Sequence, residues 1–175
     1  GTSVTSGTVN TGASISSAPT APTRTGYTFS AWSATDGGTA ITFPYAHGQT
    51  ASFTLFAIWT ANTLTVTYNS QSGSAVSNGT VATGASISAA PTAPTRTGYT
   101  LDGWSATETG TVVVFPYAHG QTANFTLFAK WTGNTNTITY DSKGGSAVAN
   151  GSFVTGGSIA AAPTAPSRAG YTLAG

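Results

Sequence analysis

The sequence predicts a mainly β protein built from tandem repeats, and three observations support this prediction. The segment Ala89–Trp104 (AAPTAPTRTGYTLDGW) occurs earlier as Ser17–Trp32 and begins again at Ala161, so that equivalent residues lie 72 positions apart. Such a fixed interval is the signature of a repeat architecture. Apolar and hydroxyl residues alternate in several short segments, as in half-buried strands, and no long segment has the periodicity of an amphipathic helix. We therefore expect small modules of mostly strand, with little helix.

The 72-residue period divides the chain into two nearly complete units and part of a third. The predicted first repeat, 1–62, lacks its first strand; the second, 63–134, is complete; the third, 135–175, stops before its second half. Only four residues, Thr60–Thr63 and their copy Thr132–Thr135, link consecutive repeats, which is too short for a flexible tether. The expectation is a stiff, elongated rod, and a chain that is a window on a longer array.

Composition restricts the classes of partner. Only 5% of the residues are charged, the net charge is +1, and the chain contains neither Cys nor Met. Nucleic-acid binding and binding to anionic lipid both need clustered Lys and Arg, so neither is expected. Disulfides are excluded, and no apolar run has the length of a membrane-spanning helix. A polar, nearly uncharged chain without oxidisable sulfur is typical of a secreted or surface polymer.

The first half of the complete repeat is predicted to contain two strand regions. Thr63–Asn69 (TLTVTYN) alternates strictly, and Ser70–Gly79 follows it as a turn-rich loop. Thr80–Ile87 is expected to be a short strand broken at Gly84, with at most one helical turn near Ser86–Ala90. The inward face of the first strand comprises Leu64, Val66 and Tyr68.

The second half is predicted to contain three strands. They are Gly98–Trp104, with a bend at Gly103, then Thr111–Phe115, which Pro116 ends, and finally Asn124–Thr132. Comparison of the first and second repeats separates constant from variable positions, and constant positions are expected inside. By this criterion Val113 and Phe115 face inward, whereas Val112, Val114 and Lys130 face outward. Alternation in the last strand places Phe125, Leu127, Ala129 and Trp131 on one inward face, and Trp104 is also expected in the core.

The order of these motifs resembles the internalin-type B repeat, also called the Listeria–Bacteroides repeat. The matching pieces are Val66–Tyr68, Ala93–Trp104 (APTRTGYTLDGW) and Thr126–Trp131 (TLFAKW), and equivalents occur in the other copies. The resemblance implies a small β-grasp-like module that occurs in tandem in bacterial cell-surface proteins, as a stalk or an accessory adhesive segment. The first copy departs from the family pattern in having Ser30-Ala31 before its tryptophan, where the family prefers glycine.

The ingredients of a serine triad occur twice in the chain. A triad requires hydroxyl, imidazole and carboxylate in hydrogen-bonded sequence beside an oxyanion hole. The sequence contains no G-x-S-x-G elbow, and a unit of 72 residues offers little room for a closed cleft. We interpret these positions as polar loop residues and assign no catalytic residue. The candidates are Ser33, Asp36 and His47, with their copies Ser105, Glu108 and His119.

Neither a metal site nor a cofactor site is predicted. Each of the first two repeats has a single His, in Tyr45–Gln49 and Tyr117–Gln121 (YAHGQ), and one His cannot complete a zinc shell. A glycine turn with a hydrogen-bonding His is the expected role. The three Arg residues of the repeated motif, Arg24, Arg96 and Arg168, are expected to stack on a nearby ring or pair with a carboxylate; the alternative is a functional Arg ladder.

Two further motifs admit a binding role. The Pro-x-x-Pro segments could be polyproline ligands, but segments packed beneath the aromatic residues are the stronger expectation. Phe56 and Phe128 are expected to be exposed, and they could form an adhesive stripe or fill contacts between repeats.

Two functions remain open at this point. The first is a structural spacer, stalk or fibre of a bacterial surface or secreted protein, and the second is an adhesin segment that binds a glycan or a host protein through repeated faces. The expected partners are neighbouring repeats of the same chain, with self-assembly or a surface ligand as further possibilities. No enzymatic activity and no membrane insertion of this segment are expected.

Overall fold

The computed structural model describes residues 1–175 and contains strands but no helix. Strand accounts for about 34% of the chain, which confirms the mainly β, tandem-repeat prediction. Since no helix is present, none is long and apolar enough to span a membrane. The strands are β1 (Ser14–Ile15), β2 (Tyr27–Ser33), β3 (Tyr45–Ala46), β4 (Phe56–Ala61), β5 (Thr63–Asn69), β6 (Gly79–Ala82), β7 (Ser86–Ile87), β8 (Tyr99–Ser105), β9 (Tyr117–Ala118), β10 (Phe125–Gly133), β11 (Thr135–Ile138) and β12 (Gly151–Val154).

The strands form one four-stranded sheet, in the order β6-β5-β10-β8, and four two-stranded sheets. The two-stranded sheets pair β2 with β4, β11 with β12, β1 with β3 and β7 with β9. The pairings for which the register is described are antiparallel, and equivalent strands of different repeats share a register. For example, Ser14 lies opposite Ala46 in the first repeat, as Ser86 lies opposite Ala118 in the second.

The contacts between residues divide the chain into two compact units whose borders do not follow the 72-residue period. The first unit comprises residues 1–67, 78–89 and 114–125, and the second comprises 68–77, 90–113 and 126–175. The buried apolar residues of the first unit are Trp32, Leu64, Val66 and Val81, and those of the second are Tyr68, Trp104, Leu127 and Ala129. Each place where one repeat passes into the next, near residues 62 and 134, lies inside one of these units.

Strand β5 forms with the predicted bounds. Its three predicted inward residues, Leu64, Val66 and Tyr68, are the buried ones, and the hydroxyl residues Thr63 and Thr67 between and beside them are exposed. The prediction from alternation is confirmed because successive side chains of a strand point to opposite faces. One apolar face is therefore enough to fix the strand against a core.

The predicted break at Gly84 is confirmed, but the helical turn near Ser86–Ala90 is wrong. Gly84 has a φ of +80° and separates β6 from β7. Residues Ser86 and Ile87 extend as β7 and pair with Ala118 and Tyr117 of β9. The pairing with a distant strand supplies hydrogen bonds that a single isolated helical turn could not match, because helix nucleation is unfavourable.

Strand β8 carries the predicted irregularity next to Gly103. Lys130 lies opposite Gly103 and Trp131 lies opposite Leu101, so Asp102 is an extra residue on its strand. Such a bulge bends its strand and shifts the alternation of side chains. Here it shifts the inward-facing position from Leu101 to Trp104, which is 1% exposed.

The predicted strand Thr111–Phe115 is wrong in extent. It is reduced to one bridge, Ser105 to Val112, and one hydrogen bond from the Val113 N–H to the Trp104 carbonyl (2.7 Å). The predicted facing is nevertheless confirmed, because Val113 and Phe115 are half-buried whereas Val114 is 82% exposed.

The side chains next to this bridge differ in volume between the first and the second repeat. A Cβ on Gly103 would lie 2.5 Å from Cγ1 of Val112, so the valine occupies the space that a side chain would need. The first repeat has alanine at both equivalent positions, Ala31 and Ala40. The departure of the first copy from the glycine preferred by the family is thus accompanied by a smaller residue opposite.

In β10, the burial of the side chains confirms part of the predicted assignment to inward and outward faces. Leu127 and Ala129 are buried, whereas Phe125 and Trp131, predicted on the same inward face, are half-buried. The indole N–H of Trp131 donates to the Ser70 carbonyl (2.8 Å). Lys130 is half-buried rather than exposed. Its long side chain crosses the surface to the Glu108 carbonyl, to which Nζ donates at 3.0 Å, since a lysine can cover apolar surface with its stem.

The four-residue linker predicted between repeats is shorter in the structure. Strand β4 includes Ala61 and β5 begins at Thr63, which leaves Asn62 alone outside strand structure. The second link is equally short, with Asn134 between Gly133 and Thr135. The hydrogen bonds of these two asparagines explain why the strands extend so far.

Candidate functional site: the junction between repeats

Asn62 is hydrogen-bonded to residues of both the first and the second repeat. Its N–H donates to the Gly26 carbonyl (2.9 Å), and its carbonyl accepts from the Thr83 N–H (2.9 Å). The Thr83 hydroxyl donates to the same carbonyl at 3.3 Å, and the Asn62 side-chain oxygen accepts from the Thr28 hydroxyl at 2.7 Å. The backbone N–H and carbonyl of Asn62 and its side-chain oxygen are therefore all hydrogen-bonded where one repeat passes into the next.

Asn134 repeats this arrangement at the second junction. Its N–H donates to the Gly98 carbonyl (2.8 Å), and its carbonyl accepts from the Thr155 N–H (2.9 Å). The Thr155 and Thr100 hydroxyls donate to the Asn134 carbonyl and side-chain oxygen at 3.3 and 2.7 Å. Corresponding distances at the two junctions agree within 0.1 Å. The junction is thus a reproducible structure, not an arbitrary crossing.

The glycine of the Gly-Tyr-Thr motif permits a close approach at each junction. A Cβ on Gly26 would lie 2.7 Å from Cγ2 of Thr83, and a Cβ on Gly98 would lie 2.8 Å from Cγ2 of Thr155. Real Cβ atoms do not approach that closely, and both glycines also have a φ near +78° (+79° and +78°), which L side chains disfavour. Contact with the next repeat therefore requires glycine here.

The tyrosine of the same motif covers the turn of the following repeat. Cβ atoms placed on Gly84 and Gly156 would lie 2.9 and 2.5 Å from the hydroxyl oxygens of Tyr27 and Tyr99, respectively. Each tyrosine ring in turn carries the guanidinium of the Arg three positions before it. The stacked pairs are Arg24 on Tyr27 (3.8 Å to the ring centroid), Arg96 on Tyr99 (3.9 Å) and Arg168 on Tyr171 (4.0 Å). The predicted stacking of Arg on a nearby ring is confirmed in all three copies.

Within residues 1–175, the third copy of the motif has no residues of a further repeat packed against it. Gly170 keeps the left-handed conformation, with a φ of +77°, but a Cβ there would meet nothing within 4 Å. Tyr171 is 67% exposed, whereas Tyr27 and Tyr99 are half-buried. The conformation of the motif is thus the same in all three copies, and at Tyr27 and Tyr99 the turn of the next repeat covers the tyrosine hydroxyl.

Charge contributes little to this site. The single ion pair of the structure joins Lys143 and Asp141 (2.7 Å) on the surface of the third repeat, and the hydrogen bonds from Lys143 lower the pKa of Asp141. Both side chains are largely exposed, and exposed pairs of this kind stabilise proteins only weakly. The junctions are instead held by uncharged hydrogen bonds, close packing and the Arg–Tyr stacks.

The structure does not assemble the candidate triad in the first repeat. The Ser33 hydroxyl donates to the Thr35 carbonyl (2.8 Å). The His47 Nδ1 accepts from the Gln49 N–H (3.0 Å), so Nε2 carries the proton and donates to the Asn10 carbonyl (3.3 Å). Serine and histidine are each engaged with other groups, and neither is hydrogen-bonded to the other.

In the second copy, Ser105 and His119 likewise bond to the residue two positions further along the chain. Ser105 accepts from the Thr107 N–H at 3.4 Å. His119 accepts from the Gln121 N–H at 2.9 Å and approaches the Ala82 carbonyl with Nε2 at 3.4 Å. The predicted role of the YAHGQ histidine, as a hydrogen-bonding residue of a glycine turn, is confirmed in both repeats.

The positions of the remaining candidate residues do not point to a catalytic, metal or ligand site. Asp36 and Glu108 are exposed, and no group of three or more His, Asp or Glu residues lies close enough to hold a metal ion. The second prolines of the Pro-x-x-Pro segments, Pro22 and Pro94, are buried, which favours the packed role over the polyproline ligand. Phe56 and Phe128, predicted to be exposed, are half-buried within their strands.

Comparison with known proteins identifies the family. The sequence model of the Listeria-Bacteroides repeat domain matches residues 1–58, 65–130 and 137–175. The chain belongs to this family. The resemblance seen in the sequence is therefore confirmed, and the Listeria-Bacteroides repeat motif Gly-Tyr-Thr is the part of the chain that forms the junctions described above.

Curated relatives of this chain are several times longer than it is. Internalin H of Listeria monocytogenes is 36% identical over 121 residues, which is 67% of this chain and 21% of the relative. A protein of Evansella cellulosilytica that is provisionally named a membrane protein is 35% identical over 122 residues, 70% of this chain and 18% of the relative. The chain thus spans about a fifth of these relatives. No solved structure matches it significantly.

Sequence reasoning missed the residues that the junction depends on most. Asn62 and Asn134, and Thr83 and Thr155, each recur at the 72-residue interval, as do the glycines they contact. The sequence signal that could have found them is that these polar residues lie outside the strands and are nevertheless identical in the two copies. It could not indicate the partner, because Gly98 and Thr155 are 57 positions apart in sequence and meet only across a repeat border.

Proposed function

We propose that this chain is a spacing segment of a bacterial surface or secreted protein, in which small β-grasp-like repeats follow one another as a stalk. The observation that carries the proposal is the pair of matching junctions at Asn62 and Asn134. A spacer needs consecutive repeats in a fixed relation, and the hydrogen-bonded single-residue link with its close glycine contact supports the proposal that this chain has one. The β-grasp likeness applies to the strands alone, because the chain has no helix.

The proposed location outside the cell rests on two kinds of support. The chain shares its repeat family with a protein named internalin H and resembles one provisionally named a membrane protein. Its low charge and lack of Cys and Met are compatible with long exposure to an oxidising environment. No catalytic role is assigned to the segment.

The spacing role predicts that length increases linearly with the number of repeats. One, two or three further copies of residues 63–134 can be inserted after Asn134, and small-angle X-ray scattering then measures the longest dimension of each chain. Equal increments are expected. The matched control carries a Gly/Ser insertion of about ten residues after Asn134, which acts as a flexible coil and should broaden the distance distribution. The proposal would be contradicted if the chain with the Gly/Ser insertion gave the same distance distribution as the chains without it.

An adhesin segment is the alternative, and it predicts an exposed patch at the same position of every repeat. The most exposed apolar strip, Val112 (42%) and Val114 (82%), corresponds to Ala40 and Thr42 in the first repeat. Because the patch does not recur, binding by repetition of one face has less support than spacing. Saturable binding of this chain to immobilised glycans, lost on changing Val114 to Asp, would reverse this preference.

A further inference from the structure

The segment Thr111–Val114 of the second repeat leaves backbone groups unpaired at the edge of a sheet. It lies beside β8, an outer strand of the four-stranded sheet, and joins it through a single antiparallel bridge at Val112. The Val113 N–H donates to the Trp104 carbonyl on that side. Successive N–H groups of an extended chain point to opposite sides, so the N–H and carbonyl groups of Val112 and Val114 point away from β8. These groups have no hydrogen-bond partner within the chain.

The same two valines expose their side chains on one face of this segment. Val112 is 42% exposed and Val114 is 82% exposed, whereas Val113 between them is half-buried. Residues two positions apart in an extended chain share a face, so the two exposed side chains form one apolar strip. A run of β-branched residues also has a strong preference for strand structure. The segment therefore combines a free edge with side chains suited to a further strand, which makes it a template for strand addition.

The exposure of this edge does not depend on which neighbouring repeat is present. The equivalent residues of the first repeat, Ala40 and Thr42, are exposed although the whole second repeat follows them. Val112 and Val114 are exposed although the first repeat precedes them. The first repeat also has the same single bridge, from Ala40 to Ser33. The free edge is thus a feature of the repeat, whereas the apolar strip belongs to the second repeat alone.

A second copy of this segment supplies the groups that the edge lacks. In an antiparallel pair centred on Val113, Val112 of each copy lies opposite Val114 of the other. Both are then hydrogen-bonded positions of the pair, and their free backbone groups already point to that side. The exposed valines of the two copies meet in one apolar cluster, and such cross-strand contacts stabilise a sheet. Pro116 has no N–H and ends the pairing after a few residues.

Charge does not oppose the approach of two copies at this edge. The net charge of the chain is +1, and residues 109–116 (TGTVVVFP) contain no ionisable side chain. Exposed edges are commonly protected by lysine or another charged residue, but the nearby Lys130 directs its Nζ to the Glu108 carbonyl (3.0 Å). Two strands of this length bury less surface than the roughly 1,200 Å² of a stable interface, so we expect weak association that depends on concentration.

We propose that the segments Thr111–Phe115 of two copies of this chain pair antiparallel and join the chains into a dimer. The pairing has two-fold symmetry and uses the same surface on both partners, so that association stops at two copies. Backbone hydrogen bonds provide the affinity, and the facing valines fix the register, as in other cases of strand addition. The inference is separate from the spacing role, which concerns contacts along a single chain.

Sedimentation equilibrium of the whole 175-residue chain over a wide range of concentrations is expected to show monomers in equilibrium with dimers. Val114→Lys places a charge against the valine strip twice in each dimer and should raise the dissociation constant about tenfold or more. The matched control is Thr42→Lys, the equivalent exposed position of the first repeat, which should leave the dissociation constant unchanged. Circular dichroism must show that both variants keep their strand content.

Single cysteines test the register, because the chain has no cysteine of its own. A mixture of Val112→Cys and Val114→Cys chains should form disulfide-linked dimers faster than either variant alone, since Cβ atoms directly opposite each other are about 4.5–5.5 Å apart and diagonal neighbours about 7–8 Å. Monomers at every concentration, equal weakening by Val114→Lys and Thr42→Lys, or equal linkage rates in the mixture and in the separate variants would overturn the proposal. So would oligomers that persist in Val114→Lys, because they would place the contact elsewhere.

Discussion

Replacing Gly98 with alanine tests whether the repeat motif is held by the neighbouring repeat. The added Cβ would lie 2.8 Å from Cγ2 and 3.1 Å from Oγ1 of Thr155, in a backbone with a φ of +78°. The left-handed conformation costs an L residue about 1–2 kcal/mol, and overpacking typically costs a further 1–3 kcal/mol. Gly98→Ala should therefore lower the free energy of unfolding by roughly 2–5 kcal/mol, measured by urea denaturation.

The third repeat supplies the control for backbone strain. Gly170 has nearly the same φ, +77°, but has nothing within 4 Å of a Cβ, so Gly170→Ala should show only the conformational cost. Thr155→Ser removes Cγ2 and keeps the hydroxyl that donates to Asn134. Combined with Gly98→Ala it should recover about 1–2 kcal/mol, within the range of coupling energies for residues in contact.

Hydrogen exchange locates the effect within the chain. In the Gly98→Ala variant the amides of Asn134 and Thr155, which donate across the junction, should exchange faster, and the Thr155→Ser change should slow them again. The reasoning is refuted if Gly98→Ala costs no more than Gly170→Ala. It is also refuted if the two changes at positions 98 and 155 are additive, because additivity means that the residues do not compete for the same space.

Three further changes test the interior of the second repeat. Gly103→Ala should lower the melting temperature because Val112 occupies the space of the new Cβ, and Val112→Ala in the same chain should restore much of it; simple additivity would contradict this. Trp104→Ala should cost about 3–5 kcal/mol and abolish cooperative melting of the repeat by circular dichroism, so an unchanged transition would show that the ring is not core. Burial raises the pKa of Tyr68 above its ordinary value of 10.0, so the unfolded chain ionises first, and stability falls as pH rises above about 10. Tyr68→Phe should reduce that fall between pH 9 and 11 in urea titrations, and an unchanged slope would assign it to other groups.

The local sequence pattern is sufficient to predict a strand where that strand buries one of its two faces. Thr63–Asn69 was predicted with its observed bounds because its alternation leaves one arrangement that hides Leu64, Val66 and Tyr68 together. The valine-rich run Thr111–Phe115 has an equally strong local preference but forms a single bridge, since only the Trp104 carbonyl and Ser105 are available to it. Strand propensity describes the side chains, whereas strand formation also needs a partner edge.

The junction could be predicted only in part, for a similar reason. The glycine at position 98 and its 72-residue periodicity were visible in the sequence, and a short link between repeats was expected. The reason for the glycine was not visible, because the atoms that exclude a side chain belong to Thr155 in the next repeat. Contacts between repeats leave the same periodic trace as contacts within one, so periodicity alone cannot assign a residue to either class.

The three copies of Gly-Tyr-Thr separate these two classes. Conformation is the same in all three, with φ between +77° and +79° and Arg stacked on Tyr, so the repeat itself sets it. Burial of the tyrosine differs: Tyr27 and Tyr99 are half-buried and contact the turn of the next repeat, whereas Tyr171 is 67% exposed in the described residues. A single 72-residue period consequently does not contain all of its own stabilising contacts. The smallest segment that does so includes the Thr-Gly turn of the next repeat, which agrees with compact units whose borders fall inside the second repeat and not at Asn62 or Asn134.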